Sequence, residues 1–153
     1  MILLALDQSS RITGYSIFDT DTEKLIKSGV FKTKGTELQK RLEQIRNWVK
    51  QIIQEEKIDK VILEDIQLES TVSNNVVTYK ALAEVIGVIT ELLQELKIPF
   101  ELVHAVTWRK ELSLKGNKRS IQKENAKNYV SSKYKQDFLE DESEAICIGT
   151  YYI

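Results

Sequence analysis

Hydrophobic positions along this chain follow two patterns: short unbroken apolar runs that stop at a carboxylate, and long stretches with apolar residues every three or four positions. Ile2 to Leu6 is the first short run, and it ends at Asp7. A run this short, closed by turn residues, predicts a strand buried on both faces. Gln8 to Gly14 is a polar turn, after which Tyr15, Ile17 and Phe18 predict a strand folding back as a hairpin. Asp19 to Glu23 is a further turn, and Leu25 to Phe31 predicts a third strand with Gly29 as a bulge. Thr36 and Gln39 have the spacing of a capping box. Leu38, Leu42, Ile45, Trp48, Val49, Ile52 and Ile53 then form one stripe of an amphipathic helix running to about Lys57. Val61, Ile62 and Leu63 form a second buried run, ending at Glu64.

Leu68 to Asn75 is polar and unpatterned, a loop of the kind that covers a site. Val76 to Leu96 predicts a second long helix, with Leu82, Val85, Ile86, Ile89, Leu92, Leu93 and Leu96 as its stripe and Gly87 permitting close packing. Pro99 follows, then a strand from Phe100 to Val103. Helical spacing returns from about Ser120 and again from about Asp141. Strands separated by helical crossovers require parallel neighbours. The expected fold class is therefore α/β, a mixed sheet with an antiparallel N-terminal hairpin and helices on both faces.

The 153 residues suit a single domain, 1–153. No apolar run is long enough to span a membrane, and the first residues lack the basic leader and cleavage site of a signal peptide. The lone cysteine, Cys147, lies in an apolar run and reads as a buried structural thiol, which suits a reducing cytoplasm. The net charge of −1 conceals a polarised distribution. Between Trp108 and Lys127 stand seven basic residues (Arg109, Lys110, Lys115, Lys118, Arg119, Lys123 and Lys127) against two acids. Asp137, Glu140, Asp141, Glu142 and Glu144 follow with no base among them. The basic stretch reads either as a solvated helix face or as a phosphate-binding surface. Trp108 reads as core, and His104 as a strand-end residue without catalytic duty.

Four acids carry the candidate chemistry. Asp7 and Glu64 each end a buried strand, and parallel neighbours place such ends on one sheet edge, where ligands bind in open α/β folds. Period-two alternation turns Asp65 away from the face of Glu64. Asp141 and Glu144 are three apart on one helix face. If that helix start docks on the sheet edge, four carboxylates converge, and Mg2+ or Mn2+ would neutralise them. Two such ions can activate water against a phosphodiester. The structural alternatives are that Asp7 caps its turn and that Asp141-x-x-Glu144 is a capping box.

Asp7 with Thr13-Gly14-Tyr15, Val-Ile-Leu-Glu64, the long helix containing Gly87, and Asp141-x-x-Glu144-Ala-Ile resemble, in order and spacing, the RuvC-type Holliday-junction resolvases of the RNase H-like nucleases. The segment Thr107-Trp108-Arg109-Lys110 through Lys118-Arg119 and Lys123 is similar to phage and Gram-positive members. The resemblance implies a metal-dependent endonuclease acting as a homodimer on branched DNA, in the cytoplasm of a bacterium or of a phage-infected host. It implies that Asp7, Glu64, Asp141 and Glu144 hold two Mg2+ or Mn2+ ions. Lys123 would lie near the scissile phosphate, with Arg109, Lys110, Lys115, Lys118 and Arg119 also on DNA. Two positions depart from the family pattern. Glu144 stands where aspartate is usual, and Gln67 stands where bacterial members place a stacking aromatic. A branched-DNA-binding module with weak catalysis, an RNase H-fold nuclease acting on RNA, and an actin-like sugar kinase or ATPase are the competing readings. The last needs a second glycine-rich phosphate loop and about twice the length, neither of which this chain has.

Overall fold

The computed structural model describes residues 1–67 and 76–153; the expected loop Leu68 to Asn75 lies outside the described residues. The strands are β1 (Ile2–Asp7), β2 (Ile12–Asp19), β3 (Lys24–Lys32), β4 (Lys60–Asp65) and β5 (Phe100–His104). The helices are α1 (Leu38–Glu56), α2 (Val76–Glu95), α3 (Ala105–Glu111), α4 (Arg119–Tyr134) and α5 (Glu140–Tyr152). Together the strands form one sheet in the order β3-β2-β1-β4-β5. The β1–β2 and β2–β3 pairs are antiparallel, and the β1–β4 and β4–β5 pairs are parallel. The mixed α/β sheet expected from the pattern is the observed one.

Alternation along the two central strands sorts the core into two layers. Leu4 and Leu6 of β1, with Val61 and Leu63 of β4, face α1 and α2. Leu3 and Ala5, with Ile62, face α3, α4 and α5. Helices therefore cover both faces, as expected. Burying a leucine-sized side chain is worth roughly 1.5–3 kcal/mol, and Leu3, Leu4 and Leu6 are fully buried. Trp108 is also fully buried, in the second layer. Trp48 stacks on Phe31 at 4.7 Å in the first.

Several local expectations are corrected. The irregularity in β3 is not at Gly29. It falls between the pairs Ile17–Lys27 and Phe18–Leu25, leaving Ile26 as the extra residue. Gly29 instead lies under Tyr15, whose ring a Cβ there would crowd at 2.9–3.1 Å. Thr36 and Gln39 form no capping box: α1 begins at Leu38, its N-cap Glu37 makes no side-chain cap bond, and Arg41 Nη1 donates to the carbonyls of Gly35 and Thr36. Gly87 permits no close packing among the described residues, where a Cβ on it would meet nothing within 4 Å. The short helix α3 was not anticipated. Its seven residues are too few for a helical period to emerge from the sequence.

The placement of α5 organises one end of the molecule. Ser143 to Gly149 are all buried, so this helix lies sunk between the sheet and α4. Three close approaches on β2 allow it. A Cβ on Gly14 would stand 2.0 Å from the Asp141 carbonyl oxygen. Ser16 Oγ donates to the Ala145 carbonyl at 2.8 Å. A Cβ on Gly149 would stand 2.3 Å from the Phe18 ring. Gly14, Ser16 and Phe18 alternate onto one face of β2, so α5 rests there on the two smallest residues of the strand and on the ring of a third.

Candidate active site

The parallel register sets Leu6 beside Leu63, which makes Asp7 and Glu64 the next neighbours at the strand ends. By alternation both belong to the face that carries Leu3, Ala5 and Ile62, and α5 covers that face. Asp7 is paired on its other side with Gly14, the residue on which the start of α5 rests. The helix therefore delivers Glu144 to the two strand-end acids. Carboxylate oxygens of Asp7, Glu64 and Glu144 all lie within 4.8 Å of one another. Asp141, one turn earlier, lines the same cleft but stands outside this trio. The expected convergence of four acids thus resolves into three in contact range and a fourth on the wall.

Asp65 belongs to the opposite face, as alternation predicted. It accepts from the Ile66 N–H at 2.8 Å and lies 3.5 Å from His104, the last residue of β5. The helix-capping role that competed for Asp141 and Glu144 is filled by Glu142. Its carboxylate accepts from the Leu139 N–H at 2.9 Å and from Ser28 Oγ at 2.6 Å. Asp141 and Glu144 are left for other work.

Burial is the largest influence on these acids. It pushes the Asp7 carboxyl well above the usual carboxylate range, and the charges of Glu64 and Glu144 push it further. Glu64 is raised first by burial, with its bond to Asp7 opposing and Glu144 adding to the rise. Asp141 is raised by burial, and Lys123 and Arg119 hold part of the rise back. Adjacent buried acids of this kind retain a proton unless a cation takes its place.

The cleft has a volume of about 310 Å³, with Leu82 and Ile86 of α2 on its wall and Arg119 at its edge. Gln8, 7% exposed, donates from Nε2 to the Glu64 carbonyl at 2.6 Å, tying the ends of β1 and β4 together. Its Oε1 is buried without a partner among the described residues. Clustered hard oxygen donors, an unanswered amide oxygen and surplus negative charge match the ligand set of Mg2+ or Mn2+.

The basic residues divide into two groups. Arg119 Nη2 donates to Glu144 Oε2 at 3.0 Å, and Arg109 Nη2 stands 3.9 Å from the same oxygen. Lys123 pairs with Glu140 at 3.0 Å. These three, expected on DNA, face acids. Lys110, Lys115 and Lys118 are exposed, and none forms an ion pair among the described residues. Gln122 and Asn125 of α4 donate to the Gly116 and Lys115 carbonyls, which pins the basic turn against the helix. The roles of Gln8, Ser16, Glu142 and Gly149 were missed at the level of sequence. Gly14 and Ser16, two small residues at period two, were the one available signal for the docking of α5.

Residues 3–132 match the family model described as crossover junction endodeoxyribonuclease RuvC. The match ends before α5, so the placement of Asp141 and Glu144 rests on geometry. No curated protein sequence matches the chain significantly. Among solved structures, Thermus thermophilus RuvC in complex with a Holliday junction substrate is 13% identical with a TM-score of 0.78, covering 99% of this chain and 91% of that one. The fowlpox virus resolvase, solved with Holliday junction DNA, is 18% identical with a TM-score of 0.62, covering 99% and 96%. The yeast mitochondrial Holliday junction resolvase is 12% identical with a TM-score of 0.61, covering 98% and 76%. At such identities these likenesses are ones of fold, the RNase H-like fold. With the family model matched over most of its length, the chain belongs to the RuvC family of crossover junction endodeoxyribonucleases.

Proposed function

We propose that this chain, acting as a single RNase H-like nuclease domain, cleaves branched DNA by metal-dependent phosphodiester hydrolysis. Asp7, Glu64 and Glu144 are the central ligands, and Asp141 joins from the cleft wall. The observation that carries the reading is the trio of carboxylates, Glu144 buried and Asp7 and Glu64 half-buried, with oxygens within 4.8 Å of one another, an arrangement whose like charges repel and which a bound cation would relieve. Asp7, Glu64, Glu144 and Asp141 would hold Mg2+ or Mn2+, two ions per site, which would supply the charge needed to activate water against phosphorus and to stabilise the departing 3′ oxygen.

The chain's own residues do the rest. Asp7 and Glu64, fixed at adjacent strand ends, set the position of the ligand oxygens. Gln8 keeps those ends together. Lys110, Lys115 and Lys118 take backbone phosphates, which orients the duplex without reading its sequence. Lys123, tied to Glu140, steadies the start of α5 and would turn to the scissile phosphate on releasing that partner.

Resolving a four-way junction needs two cuts, and one chain holds one acidic site, so the active form is a homodimer. Support comes from the start of α2, where Val76, Val77 and Tyr79 are 62%, 81% and 40% exposed. Three apolar side chains on one helical turn invite a partner surface. A second reading, junction binding with weak cleavage, is favoured by the engagement of Glu144 with Arg119. The deciding experiment incubates purified protein with Mg2+ or Mn2+ and four-way, three-way, flap and linear DNA. Nicks with 5′ phosphates in branched substrates support the nuclease, whereas retarded but intact junctions support the binding module.

A further inference from the structure

Glu144 differs from its two neighbours because its charge is already answered by the protein. Arg119 donates from Nη2 to Oε2 at 3.0 Å, and its Nη1 lies 3.0 Å from Oε1. That second approach is close but poorly aimed, so Oε1 still lacks a hydrogen bond among the described residues, although Glu144 is 1% exposed. Arg109 stands behind, 3.9 Å from Oε2.

The two arginines differ in freedom. The Arg109 side chain is 14% exposed, with its guanidinium 4.7 Å from the centre of the buried Trp108 ring. Moving it would break that stack. The Arg119 side chain is 53% exposed and opens α4, directly after the basic turn that carries Lys115 and Lys118. It can leave Glu144 for solvent or phosphate without disturbing the core.

A carboxylate has two oxygens and about four acceptor positions. A guanidinium at 3.0 Å from both oxygens covers the outer positions and repels any second cation approaching them. We propose that Arg119 is a displaceable counter-cation of the acidic site. It holds Glu144 in the metal-free protein, yields that carboxylate to a divalent cation, and is then free to take a DNA phosphate. The proposal rests on the reading that the acids bind metal. Arg119 is in this sense a positioning residue, and linkage makes its two partners cooperative: whatever draws Arg119 away tightens the metal, and the metal in turn releases Arg119.

Direct competition has a signature that long-range charge does not. Removing Arg119 can free a ligand only if Glu144 is present to be freed. The test is calorimetric titration with Mn2+ alone, without DNA, on the wild type, Arg119→Gln, Glu144→Gln and the double variant, each checked for folding by circular dichroism. Arg119→Gln is expected to bind Mn2+ about tenfold or more tightly than the wild type, the weight of a charge-assisted hydrogen bond. In the Glu144→Gln background the same change should give no gain. Arg119→Lys keeps the charge but loses the fork. It is expected to bind more tightly than the wild type too, and it carries the test if the glutamine variant does not fold. Equal gains in both backgrounds would overturn the proposal in favour of simple charge, and no gain in either would overturn it outright. Failure of every protein to take up Mn2+, the wild type included, would instead overturn the underlying metal reading.

Discussion

Asp7→Asn should make the metal-free protein more stable while making it inactive. The substitution exchanges a half-buried carboxylate for an amide of the same shape. Asp7 oxygens lie within 4.8 Å of those of both Glu64 and Glu144. At an effective dielectric constant near 20, each ionised pair at that distance costs about 3.5 kcal/mol. Asp7 escapes part of this by holding its proton above the usual carboxylate range, and Arg119 offsets another part. A net gain of about 1–3 kcal/mol remains for the asparagine variant in chelator near pH 8. For a domain of this size, each kcal/mol raises Tm by roughly 2–4 °C.

The pH dependence has a definite sign. A carboxyl with a raised folded-state pKa makes the folded protein bind more protons than the unfolded chain, so wild-type stability falls as pH rises through that window. The gap between variant and wild type is therefore fully open above the raised Asp7 pKa and closes as pH falls towards the ordinary value of 3.8. Saturating Mn2+ should reverse the order, because only the intact ligand set gains binding energy. Thermal unfolding in chelator at several pH values, with and without Mn2+, reads all three effects. A variant less stable than the wild type at pH 8 in chelator would refute the reasoning, since Asp7 would then be making bonds that stabilise the fold.

Three further outcomes follow from the same geometry. Gly14→Ala puts a Cβ 2.0 Å from the Asp141 carbonyl oxygen, so α5 must retreat by about 1.4 Å to reach ordinary van der Waals distance; unfolding should show a loss of about 1–3 kcal/mol, and cleavage assays a drop of about a hundredfold, whereas wild-type activity in this variant would mean α5 does not set the site. Replacing Lys110, Lys115 and Lys118 with alanine should flatten the salt dependence of DNA binding by about 0.9 for each phosphate no longer neutralised, and an unchanged slope would mark them as a solvated face. Sedimentation at micromolar concentration should give the mass of two chains, with Val77→Glu, at a site 81% exposed, reducing it to one without loss of Tm; a single-chain mass for the wild type, with and without junction DNA, would refute the dimer.

How much of this was legible depended on whether the relevant interaction was local. Ile2 to Leu6 and Val61 to Leu63 declared themselves as buried strands because their period and length admit little else, and Asp7 and Glu64 came with them as the residues where each run stops. Alternation alone separated Glu64 from Asp65. What could not be read were interactions that exist only after α5 docks. Arg119 and Glu144 are 25 residues apart, and nothing in either segment indicates that the arginine turns inward rather than towards DNA. Asp141 and Glu142 are adjacent acids at a helix start, equivalent as text. The structure separates them because Ser28, far away on β3, binds Glu142. At Thr36 the motif was present, yet α1 starts two residues later and its first turn has no side-chain cap, while Arg41 answers the Gly35 and Thr36 carbonyls instead.

The central claim is that the clustered acids make a metal site that cuts branched DNA. Its most direct test is an end-labelled four-way junction incubated with the wild-type protein and Mn2+, with the products resolved on a denaturing gel. The account predicts nicks near the branch point on opposed strands, carrying 5′ phosphates, abolished by chelator and by Asp7→Asn. A junction that stays bound and uncut under saturating Mn2+, or one that Asp7→Asn cuts within tenfold of the wild type, would contradict it.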